Sequence, residues 1–272
     1  MGKEDRTLDF TAVDQMSDPH SAVQMMDTLQ ANEGIQTLKR RTFTLLTIQA
    51  GYRLLDVGCG PGDDVQTLAA MVGASGKVVG VDNSETMIAE ARRRAQGQNL
   101  PVEYHVGDAY HLDFADNTFD GCRSERVFQH LDHPPQVFRE MVRVARPGAR
   151  LVVLDTDWET FVLNSPERTV TRKVLNFFCD SLCNGWSGRQ LPGLFYEAEL
   201  VDVQVFTGTV TGNNDRELFD DWGLSKTVQR AQETGLISAA EAATWFHSLE
   251  EARRAGRFFY AVTMFGVSGR KA

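Results

Sequence analysis

The segment Leu54-Leu-Asp-Val-Gly-Cys-Gly-Pro-Gly-Asp-Asp64 concentrates residues able to do chemistry. Glycines at 58, 60 and 62 free the backbone to turn sharply and to bring its N–H groups close to a ligand. A second apolar run, Lys77-Val-Val-Gly-Val81, ends in Asp82, which lies 22 residues after Gly60. A carboxylate at that spacing can accept hydrogen bonds from both hydroxyls of a ribose. A third run, Val102–Val106, leads into Gly107-Asp108-Ala109, where Asp108 could accept from the amino group of an adenine. Three strand ends finishing in Gly or Asp describe a nucleoside site on one side of a parallel sheet.

Two nucleoside cofactors fit such a loop, a dinucleotide and S-adenosyl-L-methionine. The dinucleotide pattern G-x-G-x-x-G asks for a sixth-position glycine counted from Gly58, and that position is Asp63. Asp63 and Asp64 also stand where the following helix begins, where carboxylates repel a pyrophosphate. A phosphate-free sulfonium cation tolerates or favours them. Helix capping is the structural alternative for both, and it does not exclude ligand contact. The balance favours the methyl donor.

Positioning those residues requires strands and helices in alternation. Strands are expected at Arg53–Val57, Lys77–Val81, Val102–Val106, Phe119–Cys122 and Ala149–Leu154. Helices are expected between them at Asp64–Val72, Ser84–Gln96 and Pro135–Val144, the last ended by Arg146-Pro147-Gly148. Such alternation means βαβ units and an α/β fold. Helical patterns precede it, one starting near Pro19 and one over Gly34–Ile48. After residue 155 the pattern predicts helices at Pro166–Asn184 and Gly188–Glu199, a strand at Val201–Phe206, helices at Asp215–Thr234 and Ser238–Ala255, and a final strand over Arg257–Gly266. The expectation is one enlarged domain over 1–272, with 1–50 as helical cover, 51–155 as cofactor-binding core and 156–272 as cover helices and remaining sheet.

Composition narrows the partners. Twenty-eight Lys and Arg against 37 Asp and Glu give a net charge of −9, which argues against nucleic acid and against an anionic membrane. With 42 % hydrophobic residues the chain can bury a full core. Met1–Asp9 is charged, with no apolar stretch of the signal-peptide kind, and no run approaches a membrane span. Four cysteines, Cys59, Cys122, Cys179 and Cys183, do not read as a disulfide framework in a chain this long. A soluble cytoplasmic protein is expected, its oligomeric state open.

The runs Leu-Leu-Asp-Val-Gly-Cys-Gly-Pro-Gly, Val-Val-Gly-Val-Asp-Asn-Ser-Glu-Thr-Met, Gly-Asp-Ala and Phe-Asp-Gly-Cys-Arg-Ser resemble the class I S-adenosylmethionine-dependent methyltransferases. Ser124–Pro134 followed by Glu140-Met-Val-Arg-Val-Ala-Arg-Pro-Gly148 is similar to the branch holding ubiquinone/menaquinone-type and natural-product small-molecule methyltransferases. The resemblance covers about residues 50–155 and is nearly silent on the acceptor. It implies a Rossmann-like, doubly wound, seven-stranded α/β sheet with an antiparallel last strand and helical cover insertions. It implies that Asp56 organises the methionine end of the cofactor, that Gly58, Cys59 and Gly60 form its backbone cradle, and that Asp82 holds the ribose. Asn83 and Met87 would line the adenine pocket, Asp108 and Ala109 would meet the adenine edge, and Ser124 would face the methionine portion. Met87 has a core role as its structural alternative, and the two can coincide.

Methyl transfer from a sulfonium is an in-line displacement, so the protein supplies alignment, desolvation and sometimes a base. His130, in Arg126-Val-Phe-Gln-His130-Leu-Asp-His-Pro134, is the candidate base, against packing or capping as its alternative. His130, Asp132 and His133 lack a separated further ligand, so no metal is expected. Asp155, Trp158, Trp186 and Arg189 flank the first insertion and are candidate acceptor contacts, each with an ordinary packing alternative. Asp132-His-Pro-Pro-Gln136 departs from the Asp/Asn-Pro-Pro-aromatic motif of amino-directed DNA methyltransferases, and no Pro-Cys pair serves cytosine-C5 chemistry. Cys179 and Cys183, four apart on a helical pattern, read as core. The expected reaction is methyl transfer to O, N or C of a small, partly apolar metabolite. A non-methylating reaction such as cyclisation, a binding module without catalysis and a dinucleotide oxidoreductase are the rivals.

Overall fold

The computed structural model describes residues 10–213, 218–219 and 222–272; the charged start Met1–Asp9 and part of the expected 215–234 helix lie outside the described residues. Strands β1 (Arg53–Val57), β2 (Lys77–Asp82), β3 (Val102–Val106), β4 (Phe119–Glu125), β5 (Ala145–Leu163), β6 (Val201–Gly212) and β7 (Tyr260–Arg270) form one sheet in the order β3-β2-β1-β4-β5-β7-β6. β1 to β5 pair in parallel, and β7 runs antiparallel to both β5 and β6. The sheet is the doubly wound, seven-stranded arrangement with an antiparallel last strand that the family resemblance implies.

Alternation along the strands decides which helix packs where. Leu54, Val78 and Val152 point to one face and cluster with α2 (Glu33–Leu45), α3 (Asp63–Val72) and α4 (Glu85–Ala95). Leu55, Val79, Leu151 and Val153 point to the other and cluster with α5 (Pro134–Val144) and α7 (Ser187–Glu197). Both faces are covered, which is why the central strands read as continuous apolar runs. α5 presents Val137, Phe138, Met141 and Val144, a helical stripe, to that core. A further apolar cluster joins α1 (Pro19–Gln30), α2, α6 (Arg168–Ser181), α8 (Leu224–Glu233) and α9 (Ala239–Arg254) to the far strands β5, β6 and β7.

Two expectations change. The fifth strand was expected to end at Leu154 and give way to cover, but β5 continues to Leu163 and pairs with β7 as far as Leu163↔Tyr260. Trp158-Glu-Thr-Phe-Val-Leu163 is rich in aromatic and β-branched residues that suit a strand, and β7 supplies the partner. α6 ends at Ser181, so Cys179 is buried but Cys183 lies beyond the helix, partly exposed, with its Sγ 3.2 Å from Asp132 Oδ1. Among the described residues, no helix is long and apolar enough to cross a membrane.

Candidate active site

Sheet order reverses between β1 and β4, and a crevice opens outside the carboxyl ends of the strands at such a point. A cavity of about 340 Å³ occupies it, extending from the glycine loop toward β5, β6 and β7. Gly58, Gly60 and Gly62 adopt φ of +72°, +52° and +84°. A Cβ on Gly58 would sit 2.2 Å from Val127 Cγ2, whereas Gly60 faces open space. The N–H of Gly58 donates to Val81 O at 2.7 Å, which ties the loop to the end of β2.

Asp82 braces the loop from beneath. Its Oδ2 accepts from Gly60 N at 2.9 Å and its Oδ1 from Ser84 N at 3.0 Å. An ionised carboxylate has about four acceptor positions, so capacity for two ribose hydroxyls is left. Burial raises the Asp82 carboxyl against those hydrogen bonds. Burial, with Asp82 and Asp56 nearby, also pushes the Cys59 thiol well up, so it lines the cavity as an inert thiol.

The start of the described chain covers the adenine side. A 3-10 turn at Phe10–Gln15 places Asp14 at the head of α4, where its carboxylate accepts from Ser84 Oγ at 2.7 Å, Glu85 N at 2.8 Å and Thr86 N at 3.1 Å. Burial opposes the charge, yet these hydrogen bonds hold Asp14 down at about 2. Asn83 Nδ2 donates to Thr11 O at 2.9 Å, so Asn83 fastens the cover as well as lining the cavity. Met87 does both too, packing with Val13, Ala22 and Val23. Asp108 is exposed and holds its own turn through Tyr110 N at 2.9 Å, with Ala109 beside it on the cavity wall.

Toward β4 the wall contains a charged cluster that sequence reasoning missed. Arg123, buried in the middle of β4, donates through Nη1 to Asp56 Oδ1 at 3.1 Å and through Nε to Thr42 Oγ1 at 2.9 Å. Its Nη2 lies 2.9 Å from Asp64 Oδ2 and also bonds Glu125. Lys39 of α2 pairs with Asp64 at 3.0 Å and Glu125 at 3.5 Å, and Arg126 pairs with Glu125 at 3.0 Å. Asp63 pairs with Arg94 at 2.9 Å. The two loop acids are therefore not the bare charges that would repel a pyrophosphate: each has a counter-cation. Neither makes a side-chain cap, since Gly62 is the N-cap and the acids occupy the first turn of α3. Burial works against ionising Asp64, but Arg123 and Lys39 hold it well below the usual carboxylate range. Burial outweighs the pull of Arg123 at Asp56 and raises its carboxyl to about 6.

Beyond β4 the wall changes character. His130 ends a 3-10 turn, Phe128–His130, and lies 5.4 Å from the ring of Phe10. Trp158 Nε1 donates to Gln129 Oε1 at 2.6 Å, and Gln129 Nε2 lies 3.2 Å from His130 Nε2. An indole N–H is donor only, so the amide oxygen faces Trp158 and the amide NH₂ faces His130. His130 Nε2 then accepts, and the ring is the neutral Nδ1–H tautomer. Imidazole ¹⁵N shifts of His130 should report that tautomer in the wild type and lose it in Gln129→Leu. A dominant Nε2–H form in the wild type would contradict the chain of bonds.

Cavity and sequence expectation overlap unevenly. Asp56, Gly58, Cys59, Gly60, Asp82, Asn83, Met87, Asp108, Ala109, His130 and Trp158 line it. Ser124 does not: fully buried, it donates to Val57 O at 2.9 Å and ties β4 to β1. Asp155 is behind the wall, fully buried, accepting from Gln129 N at 3.2 Å and Thr156 N at 2.7 Å. Burial raises its carboxyl to about 7. Arg189 turns to Asp157 and Glu159 and borders a separate surface groove, while Trp186, 47 % exposed, stacks near it at 5.5 Å. Trp186 and Arg189 were expected at the acceptor because they follow the insertion in sequence, but the extension of β5 carries that insertion away from the cavity. Gln129, Lys39, Arg123, Glu125 and Trp222 take their places on the wall. The detectable signal was the charge at 123 and 125 inside a central strand, where apolar residues are the rule.

The fold and the glycine-loop crevice define a Rossmann-like nucleoside-cofactor protein. The methyltransferase domain family model matches residues 55–153. A 37.1 kDa protein of transposon TN4556 from Streptomyces fradiae is 35 % identical over 247 residues, 90 % of this chain and 70 % of that one. Demethylmenaquinone methyltransferase of Bacillus cereus is 32 % identical over 161 residues, 59 % of this chain and 66 % of the enzyme. The YcgJ protein of Bacillus subtilis has a similar fold, with a TM-score of 0.60 at 19 % identity over 86 % of this chain and 97 % of that one. The chain belongs to the class I S-adenosylmethionine-dependent methyltransferases, an enzyme family whose methyl donor is S-adenosyl-L-methionine.

Proposed function

We propose that this enzyme methylates O, N or C of a small, partly apolar acceptor. One observation carries the reading: the cavity is continuous from a nucleoside cradle to an apolar chamber, so donor and acceptor can meet without crossing solvent. S-adenosyl-L-methionine, when bound, supplies a sulfonium methyl that an acceptor lone pair displaces in line, leaving S-adenosyl-L-homocysteine.

The residues present suit that ligand. Asp82, with unused acceptor capacity, is proposed to hold the ribose, and Asp108 with Ala109 the adenine edge. Asn83 and Met87 are proposed to close the adenine pocket under the Phe10–Gln15 turn. Gly58, Cys59 and Gly60 leave room for the backbone to approach, and Asp56 supplies negative charge for the methionine ammonium. Arg123 fixes the direction of the Asp56 carboxylate through its 3.1 Å bond. Ser124 is proposed to act through its bond to Val57, steadying the loop's entry. His130 is the proposed receiver of the acceptor's proton at Nε2, which must first release its bond from the Gln129 NH₂. Asp155 and, at the outer end, Trp186 and Arg189 are proposed as supports of that wall.

Titration calorimetry tests the cofactor half. S-adenosylhomocysteine should bind and NAD should not. Asp82→Ala should weaken S-adenosylhomocysteine by about 3 kcal/mol, on the order of a hundredfold, since two ribose hydroxyls lose a charged acceptor. NAD binding without any response to the methionine nucleoside would overturn the reading, and an unchanged Kd for the variant would remove Asp82 from it.

A further inference from the structure

The far half of the cavity is built differently from the near half. β5, β7 and β6 lie two to four strand spacings from β1, about 10–19 Å at ~4.8 Å per strand. The wall they form with α1 and Trp222 includes Met25, Leu29, Trp158, Val210, Trp222 and Met264 and, among the described residues, carries no charged side chain. The cations of the near wall are engaged: Lys39, Arg123 and Arg126 each pair with a carboxylate of the buried cluster. An anionic acceptor would find no uncommitted cation among the described lining residues.

Trp222 adds a specific group. It is 3 % exposed, and its Nε1 has no hydrogen-bond partner among the described residues. Its ring is held by Trp158 at 5.5 Å, Phe161 at 5.7 Å and Tyr260 at 5.1 Å, so it cannot easily swing to find one. Buried donors are normally satisfied, and an orphan donor on a residue that lines a ligand chamber is what a ligand acceptor atom would satisfy.

We propose that the acceptor is a neutral, ring-bearing, mainly apolar molecule carrying a carbonyl or ether oxygen that accepts a hydrogen bond from Trp222 Nε1. This rests on the reading of the cavity as donor site plus acceptor chamber. The aromatic walls take the ring, the paired cations give an anionic acceptor no compensation, the described residues of the far wall give a cationic one no carboxylate, and Trp222 fixes which end of the molecule faces away from the methyl donor.

The test uses the full chain saturated with S-adenosylhomocysteine and three probes: 1-tetralone, tetralin and tetralin-1-carboxylate. Equilibrium dialysis should give a ketone-to-hydrocarbon affinity ratio about tenfold higher in the wild type than in Trp222→Phe. The tetralin and S-adenosylhomocysteine affinities of the variant, unchanged, would show an intact chamber. In the wild type alone, the Trp222 indole ¹⁵N–H signal should shift downfield with tetralone and not with tetralin, and the carboxylate should bind at least tenfold more weakly than the ketone. A ratio unaffected by Trp222→Phe, an indole signal indifferent to the ketone, or a carboxylate that binds as well as the ketone would overturn the proposal. Failure of S-adenosylhomocysteine to bind would instead overturn the underlying site reading.

Discussion

Arg123→Met is expected to destabilise the protein by about 3–5 kcal/mol, because it leaves buried carboxylates without their main counter-charge. Arg123 is 1 % exposed and bonds Asp56, Asp64 and Glu125. Methionine fills much of the space, so the loss is electrostatic rather than a cavity. Lys39 and Arg126 still reach Asp64 and Glu125, but neither is paired with Asp56. Without Arg123 the Asp56 carboxyl should rise further above its unfolded value, and Asp64 should lose part of what holds it down. Stability from such groups is present below the unfolded value and lost as pH rises through the folded one. Urea unfolding should therefore show a smaller deficit at pH 5 than at pH 8. Arg123→Lys should fall between, since an ammonium keeps the charge but cannot reach Thr42, Asp56 and Asp64 in three fixed directions. A pH-independent loss below about 1 kcal/mol would mean the cluster relaxes freely.

Asp155 should make the wild type less stable as pH rises from about 4 to 7. Burial lifts its carboxyl from the ordinary 3.8 to about 7. Across that interval the folded state binds the proton and the unfolded state does not, so stability declines as pH rises. The gap corresponds to about 4 kcal/mol at most, using 1.36 kcal/mol for each tenfold change in proton affinity. Asp56, raised to about 6, adds a slope of the same sign. The contribution of Asp155 is therefore the difference between wild type and Asp155→Asn, with unfolding midpoints measured from pH 4.5 to 8. The variant should be the flatter of the two, and its standing relative to wild type should improve with pH. Parallel curves would show that the ionised Asp155 is accommodated by the N–H groups of Gln129 and Thr156.

The half of the site nearest the glycine loop was legible because it is local. A strand, a turn and a helix start are contiguous in Leu54–Asp64, and the second acid follows at a distance set by one βα unit. Positive φ at three glycines and the bracing of Gly60 by Asp82 realise that local pattern. The α/β class was legible too, because apolar runs alternating with helical patterns mean βαβ units; the order of the strands came only with the structure. The acceptor side was not, since its groups meet only after folding. Lys39 reaches Asp64 across 25 positions, Trp158 reaches Gln129 across 29, and Arg123 reaches Thr42 across 81.

The sequence by itself determined the class of fold, the cofactor loop and its acids, because these follow from short-range spacing and from the need to cover both faces of a parallel sheet. Only the tertiary structure decided the state of those acids and the shape of what lies beyond them. Cations from α2, α4 and β4 turned an acidic loop into a paired cluster. Extension of β5 moved Trp186 and Arg189 to the outside while leaving Trp158 on the cavity wall. Trp222, unremarkable in the sequence, became a buried donor because three rings from distant segments hold it in place. Burial and pairing are properties of neighbours, and neighbours across a sheet are set by packing and not by adjacency in the chain.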